Sequence, residues 1–128
     1  MEANNITGLI VDCCIKIHTT IGPGCYERVY EELLYYELNK INLDVKRQIT
    51  MPISYEVFQI NDAYKLDLLI ENKVIIEIKS VEHVLPVHFK QLNTYLKLMN
   101  LKHGMLLNFK VGLMKDGIHR VFNNFGNE

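Results

Sequence analysis

Apolar side chains recur at helical spacing from the beginning of the chain. Ile6, Leu9, Ile10, Cys13, Cys14 and Ile17 follow one face, and Gly22-Pro23-Gly24 then breaks the pattern, which predicts a first helix over residues 6–17. A second helix is predicted from about residue 26 to residue 40, with Tyr30, Leu34, Leu38 and Ile41 on one face. Val29, Leu33 and Tyr36 widen that stripe, and Glu27 stands at its start on the inward side. From Asp44 the period becomes that of extended chain, and residues 45–53, 55–60, 64–70 and 74–80 read as four strands joined by short polar turns. An antiparallel meander is the expected arrangement. Pro86 suits the first turn of a third helix, whose apolar face runs through Leu85, Phe89, Leu92, Leu96 and Met99 and ends near Asn100. Residues 104–109 are nearly all apolar, as in a strand covered on both faces, and the passage into them favours a right-handed parallel crossover. Lys115-Asp116-Gly117 predicts a turn, after which Ile118, Arg120 and Phe122 alternate through a last strand. The order predicts an α/β fold of α+β character: a mixed sheet containing an antiparallel meander, flanked by helices.

Composition narrows this picture. A length of 128 residues is a common size for one domain, so residues 1–128 are expected to form a single unit. No stretch approaches a membrane span, and the opening Met-Glu-Ala-Asn-Asn lacks the features of a secretory signal, so a cytoplasmic location is expected. Cys13, Cys14 and Cys25 are odd in number and contain no CxxC pair, which favours free thiols in a reducing compartment. A zinc site using them with His18 matches no common spacing. The net charge of −1 means that any nucleic-acid binding must come from a local patch or a divalent metal.

Chemistry concentrates around Glu71-Asn72-Lys73. Leu66, Leu68 and Ile70 alternate on one strand, and Val74, Ile76 and Ile78 on the next. Burying both sets together sets Ile70 opposite Val74, Leu68 opposite Ile76 and Leu66 opposite Ile78, with a three-residue loop. Asp67 then lies across from Glu77, with Lys79 two residues further along the same face and Lys65 opposite it. A two-residue turn at Glu71-Asn72 would instead set Glu77 beside Leu66 and Asp67 beside Ile76. Facing carboxylates repel unless a cation or a shared proton fills the gap. Oxygen ligands without cysteine or paired histidines suit Mg²⁺ or Mn²⁺, and the Lys79 ammonium could orient a water or offset phosphate charge. On residues alone, the rival reading is a solvated sheet face laced with ion pairs among Asp67, Glu77, Lys65 and Lys79.

Asp67 followed by Glu77-Ile78-Lys79 resembles the signature of the PD-(D/E)XK nuclease superfamily, which carries a restriction-endonuclease-like fold. Gly24-Cys25-Tyr26-Glu27-Arg28-Val29-Tyr30 is similar to the motif that names the GxxExxY family, usually assigned to that superfamily. The likeness extends from Ile6 to about Phe122, and residues 65–70, 85–88 and 115–118 resemble further blocks of that family. It implies that Asp67 and Glu77 are catalytic metal ligands, that Lys79 is the water-activating lysine, and that Glu27 is an additional ligand. Gln91 and Tyr95 resemble the Gln-x-x-x-Tyr motif of the RecB-like branch, and helical spacing aligns His88 with them in a role touching DNA or bracing the site. Leu66 stands where the superfamily's name has proline, a position that varies.

Plainer roles stand beside these. Glu27 could simply favour the positive end of its helix. His18 fits a helix-end cation or a buried hydrogen-bonding group, and Tyr30 fits the core. Lys90, Lys97, Lys102, Lys110 and Arg120 could meet phosphates or merely form a charged surface. Two functions follow: a Mg²⁺-dependent nuclease cleaving DNA, with RNA also open, or a non-catalytic nucleic-acid-binding or accessory protein that retains the fold. So small a chain has little surface beyond its core to grip a duplex, and a homodimer or partner protein is expected to supply more.

Overall fold

The computed structural model describes residues 1–126. Its elements run α1 (Ala3–Ile21), α2 (Glu27–Lys40), β1 (Val45–Tyr55), β2 (Phe58–Ile70), β3 (Val74–Lys79), α3 (Pro86–Met99), β4 (His103–Asn108), a 3-10 turn (Met114–Gly117) and β5 (Ile118–Phe122). The strands form one sheet in the order β1-β2-β3-β4-β5. β3 and β4 run parallel, as the intervening helix predicts, and every other neighbouring pair is antiparallel. The sheet is therefore mixed and the meander has three strands. Among the described residues no helix is long and apolar enough to cross a membrane.

Two cores lie on opposite faces of the sheet. Ile6, Ile10, Cys14 and Ile17 of α1 and Tyr30, Leu34 and Leu38 of α2 pack on Leu68, Ile70, Val74, Ile76, Ile78, Met105 and Leu107. Leu92 and Leu96 of α3 cover the other face, against Leu66, Leu69, Ile75 and Leu106. Gly104 admits α3 closely: a Cβ there would stand 3.1–3.2 Å from the Leu92 and Leu96 side chains. Truncating one of these buried leucines to alanine should remove about 2–5 kcal/mol. Tyr30 is core, as expected, with its ring stacked on Phe109 at 4.3 Å and its hydroxyl donating to the Gly22 carbonyl at 2.6 Å. Tyr36 and Ile41 are not core but exposed, because the inward face of α2 is narrower than its apolar stripe.

Four strands were expected between Asp44 and Ser80, and three are present. The hairpin turn falls at Glu56-Val57, with Glu56 at φ 54°, inside the segment read as one strand. Asn61, Asp62 and Ala63, which look like a turn, are absorbed into β2 as a bulge. The register passes from Met51 opposite Tyr64 to Ile53 opposite Ile60, so these three residues face Pro52 alone. Asp62 takes φ 51° there, and proline lacks the N–H that a regular ladder would use.

The faces of this long hairpin also exchange partway along it. Val45 packs in the α1/α2 core and Arg47 reaches α2, whereas Ile49, Met51 and Ile53 pack in the α3 core. On β2, Ile70 and Leu68 lie on the first side, and Leu66 and Tyr64 on the second. Simple alternation cannot produce this change, so the expectation that Leu66 shares a layer with Leu68 and Ile70 is corrected. Gln48, at φ 48° in the middle of β1, marks the crossover.

Candidate metal and catalytic centre

The β2–β3 hairpin has the register derived from matching apolar faces. Ile70 pairs with Val74, Leu69 with Ile75 and Leu68 with Ile76, leaving Glu71-Asn72-Lys73 as the loop. Lys73 N–H closes the turn on the Ile70 carbonyl at 2.9 Å. Glu71 and Asn72 both take positive φ, 53° and 54°, so the left-handed conformation expected at Asn72 extends to its neighbour.

The ladder stops at Leu68 and Ile76, and the site begins there. Continuing the register sets Asp67 opposite Glu77, but side chains replace the backbone pairing. The Asp67 carboxylate accepts the Ile78 N–H at 2.8 Å, and the Glu77 carboxyl stands within electrostatic reach of that carboxylate. Alternation turns Glu77 and Lys79 toward α3 with Ile75. Glu77 is buried, 6% exposed, and burial pushes its carboxyl up to about 9, with the Asp67 charge adding to the rise and Lys79 partly offsetting it. A proton kept on Glu77 thus relieves the repulsion that the sequence foresees. The same pair of hard oxygen donors beside an ammonium suits a small divalent cation taking the place of that proton.

Tyr95 on α3 completes this side. Its ring stacks on Tyr64 at 4.8 Å, and burial raises its hydroxyl pKa, with further contributions from Glu77 and Asp67. Gln91, one turn earlier, is exposed. The His88 ring turns to its own helix end, where Nδ1 accepts the Leu85 N–H at 3.0 Å, so its observed contact is a cap for α3.

Glu27 lies on the opposite side of Asp67. It is exposed at the α2 N-terminus, and its carboxylate accepts the Ser80 N–H at 3.1 Å. Together with Asp67, Glu31, Arg47, Gln48 and Ile78 it lines a cleft of about 410 Å³. Among the described residues, no three His, Cys, Asp or Glu side chains stand together in a group that could hold a metal ion. Glu27 therefore shares a cleft with Asp67 without joining Asp67 and Glu77 as a third close carboxylate.

Several supporting residues escaped the sequence reading. Glu31, buried one turn after Glu27, accepts hydrogen bonds from Gln48 Nε2 and, at 3.1 Å, from Arg47. Arg47 also bonds Glu32 and lies over the Tyr35 ring, and these acids hold its guanidinium pKa above the usual value. Helical spacing from Glu27 could have flagged Glu31, but nothing local marks Gln48. Buried Asn108 ends β4 directly after the apolar run Met105-Leu106-Leu107. Its Oδ1 accepts the Val81 N–H at 3.1 Å and its Nδ2 donates to the Val81 carbonyl at 2.9 Å. With Phe109 N–H on the Lys79 carbonyl at 3.0 Å, this pins the chain just beyond Lys79. A polar residue closing so apolar a strand was a legible signal.

Comparisons with curated proteins and with solved structures return no match. The model of one family, the PD-(D/E)XK nuclease superfamily, matches residues 4–121, which takes in both acids, the lysine and every element but the outermost residues of α1 and β5. By that match over nearly its whole length, the chain belongs to the PD-(D/E)XK nuclease superfamily.

Proposed function

We propose that the protein is a divalent-metal-dependent nuclease that hydrolyses phosphodiester bonds of DNA at a centre formed by Asp67, Glu77 and Lys79. The observation that carries this reading is the buried Glu77 carboxyl opposite Asp67 with Lys79 alongside, in a chain of a nuclease superfamily. The reading includes the GxxExxY relationship of residues 24–30 and a cytoplasmic protein working on nucleic acid.

Asp67 and Glu77 would hold Mg²⁺ or Mn²⁺, with Glu27 reaching it from across the Asp67 cleft. When bound, such an ion supplies Lewis-acid stabilisation of charge developing on the phosphate. The chain's own groups do the rest. Glu77 would have to be deprotonated to serve as a ligand, which would leave both carboxylates as acceptors. Lys79 Nζ orients the attacking water or neutralises phosphate charge, a contribution of about 10²–10⁴ in rate. Tyr95 and Tyr64 wall the Glu77 side against solvent, which strengthens each charge interaction inside. Gln91 offers an exposed amide to the substrate, and His88 braces the helix that carries it.

The test is purified protein on plasmid, linear duplex and single-stranded substrates with Mg²⁺, Mn²⁺ or chelator. Metal-dependent cleavage lost in chelator is the expected result. Nucleic-acid binding without cleavage under any metal would replace this reading by that of an accessory protein that has kept the fold.

A further inference from the structure

Glu27 and Arg28 border two clefts at once. One holds Asp67, and the other, of about 580 Å³, is lined by Tyr26, Ser80 and Lys110 among others. The two meet at Glu27 and Arg28, so the second lies outward from the Asp67 cleft, past the start of α2. The inner cleft carries acids already paired with Arg47, whereas the outer groove carries Lys110, with Arg28 on the border between them.

Tyr26 is the unusual feature of the outer part. It is 85% exposed, yet its backbone is tightly held. The preceding Cys25 N–H bonds the Tyr30 hydroxyl at 3.1 Å, the Cys25 carbonyl accepts Ser80 Oγ at 3.0 Å, and the Tyr26 carbonyl accepts the Val29 N–H at 3.0 Å. A large ring left in water on a braced backbone loses little freedom when something stacks on it. Lys110 is ion-paired to Glu82 at 3.3 Å, but both side chains are open to solvent, and such pairs contribute so little that a phosphate can take the ammonium over. The Glu27 carboxylate beside them is engaged by the Ser80 amide.

We propose that this outer groove binds a single strand of nucleic acid running to or from the Asp67 centre, with an unpaired base stacked on Tyr26 and flanking phosphates on Arg28 and Lys110. The assignment rests on the nuclease reading for the site at the inner end of the groove. Stacking on one ring requires a base free of its duplex partner, which selects single strands. Two cations at the groove supply the local patch that a chain with a net charge of −1 needs, since it has no general attraction for polyanions.

The test is fluorescence anisotropy with a labelled oligothymidylate of about 12 nucleotides, within the span of single-strand grooves, and a matched duplex, both in chelator so that no cleavage occurs. Tyr26→Ala should weaken single-strand binding about tenfold and Tyr26→Phe should change it less than about twofold, since the ring does the stacking. Arg28→Ala and Lys110→Ala should each reduce the slope of log affinity against log salt by about 0.7. Absence of single-strand binding by the wild-type chain overturns the proposal. So does a Tyr26→Ala protein, folded by its melting curve, that binds like wild type or loses duplex and single strand equally. Cleavage is measured separately with metal, so a chain that never cuts but binds through Tyr26 sinks the nuclease reading and leaves the groove standing.

Discussion

Gln48 stands across the β1–β2 hairpin from Asp67, and it is at this pair that both strands exchange the face they present to the helices. Gln48 takes φ 48°, a conformation that side chains branched at Cβ scarcely tolerate. Its amide is tied to buried Glu31, so the crossover is anchored on α2. Gln48→Gly keeps the backbone conformation and loses the tie, whereas Gln48→Val loses both. Both variants should melt below wild type, and Gln48→Val about 3–8 °C below Gln48→Gly, as a left-handed penalty of roughly 1–2 kcal/mol implies. Equal melting of the two variants would contradict the left-handed strand.

Glu77 gives the metal-free protein a distinctive pH dependence. Its folded pKa, raised to about 9, lies above the usual 4.5, so between these values the unfolded chain ionises while the folded one keeps the proton. The stability linked to this group is complete below about 4.5 and is lost as pH rises through about 9. Melting in chelator should therefore fall across that window. Glu77→Gln, which cannot ionise, should flatten the profile and melt several degrees higher than wild type at pH 8. An unchanged slope in Glu77→Gln would assign the effect to other groups.

Much of this fold is legible in the sequence because strand and helix periods are strong where one face is buried. Pro86 opening α3, Asn100 closing it, and the Leu68–Ile76 register that brings Asp67 to Glu77 all follow from local pattern. The β1–β2 hairpin is misread for physical reasons. Asn61-Asp62 looks like a turn because the residues that tolerate positive φ in turns tolerate it equally in a bulge, and Glu56 carries no marked turn preference. The crossover at Gln48 depends on Glu31, distant in sequence, and has no local signature. Of the candidate site, Asp67, Glu77 and Lys79 are legible, as is the need for a cation or a proton between the acids, but that Glu77 keeps the proton follows only from its burial. His88 looks like part of a site because it lies on the Gln91–Tyr95 stripe, although its ring is used on its own helix end.

Asn108 tests how the site is held. Replacing it with alanine leaves the Val81 N–H and carbonyl without their buried partner, a loss of about 1–3 kcal/mol for each group left unsatisfied. Asn108→Ala should melt at least about 5 °C lower, and hydrogen exchange should quicken at Val81. Wild-type exchange at Val81 in this variant would show that Asn108 does not hold the segment.

Metal binding should release a proton. Titration calorimetry of Mg²⁺ or Mn²⁺ near pH 7, in buffers of different ionisation enthalpy, should report release approaching one proton as the cation displaces the one held on Glu77. Asp67→Asn should weaken binding at least about tenfold. Equal binding by wild type and Asp67→Asn would remove Asp67 from the ligand set.

The most direct measurement compares cleavage rates of wild type and Lys79→Ala on one DNA substrate under saturating Mg²⁺ or Mn²⁺, with matched circular dichroism and melting curves. Lys79 is half-buried beside Glu77 and lies outside both apolar cores, so its truncation opens no large cavity and the variant should fold. The account predicts metal-dependent cutting by wild type and a rate lower by about 10²–10⁴ in Lys79→Ala, with metal binding still measurable. A folded Lys79→Ala protein that cuts as fast as wild type, or a wild-type protein that cuts nothing with either metal, would contradict it.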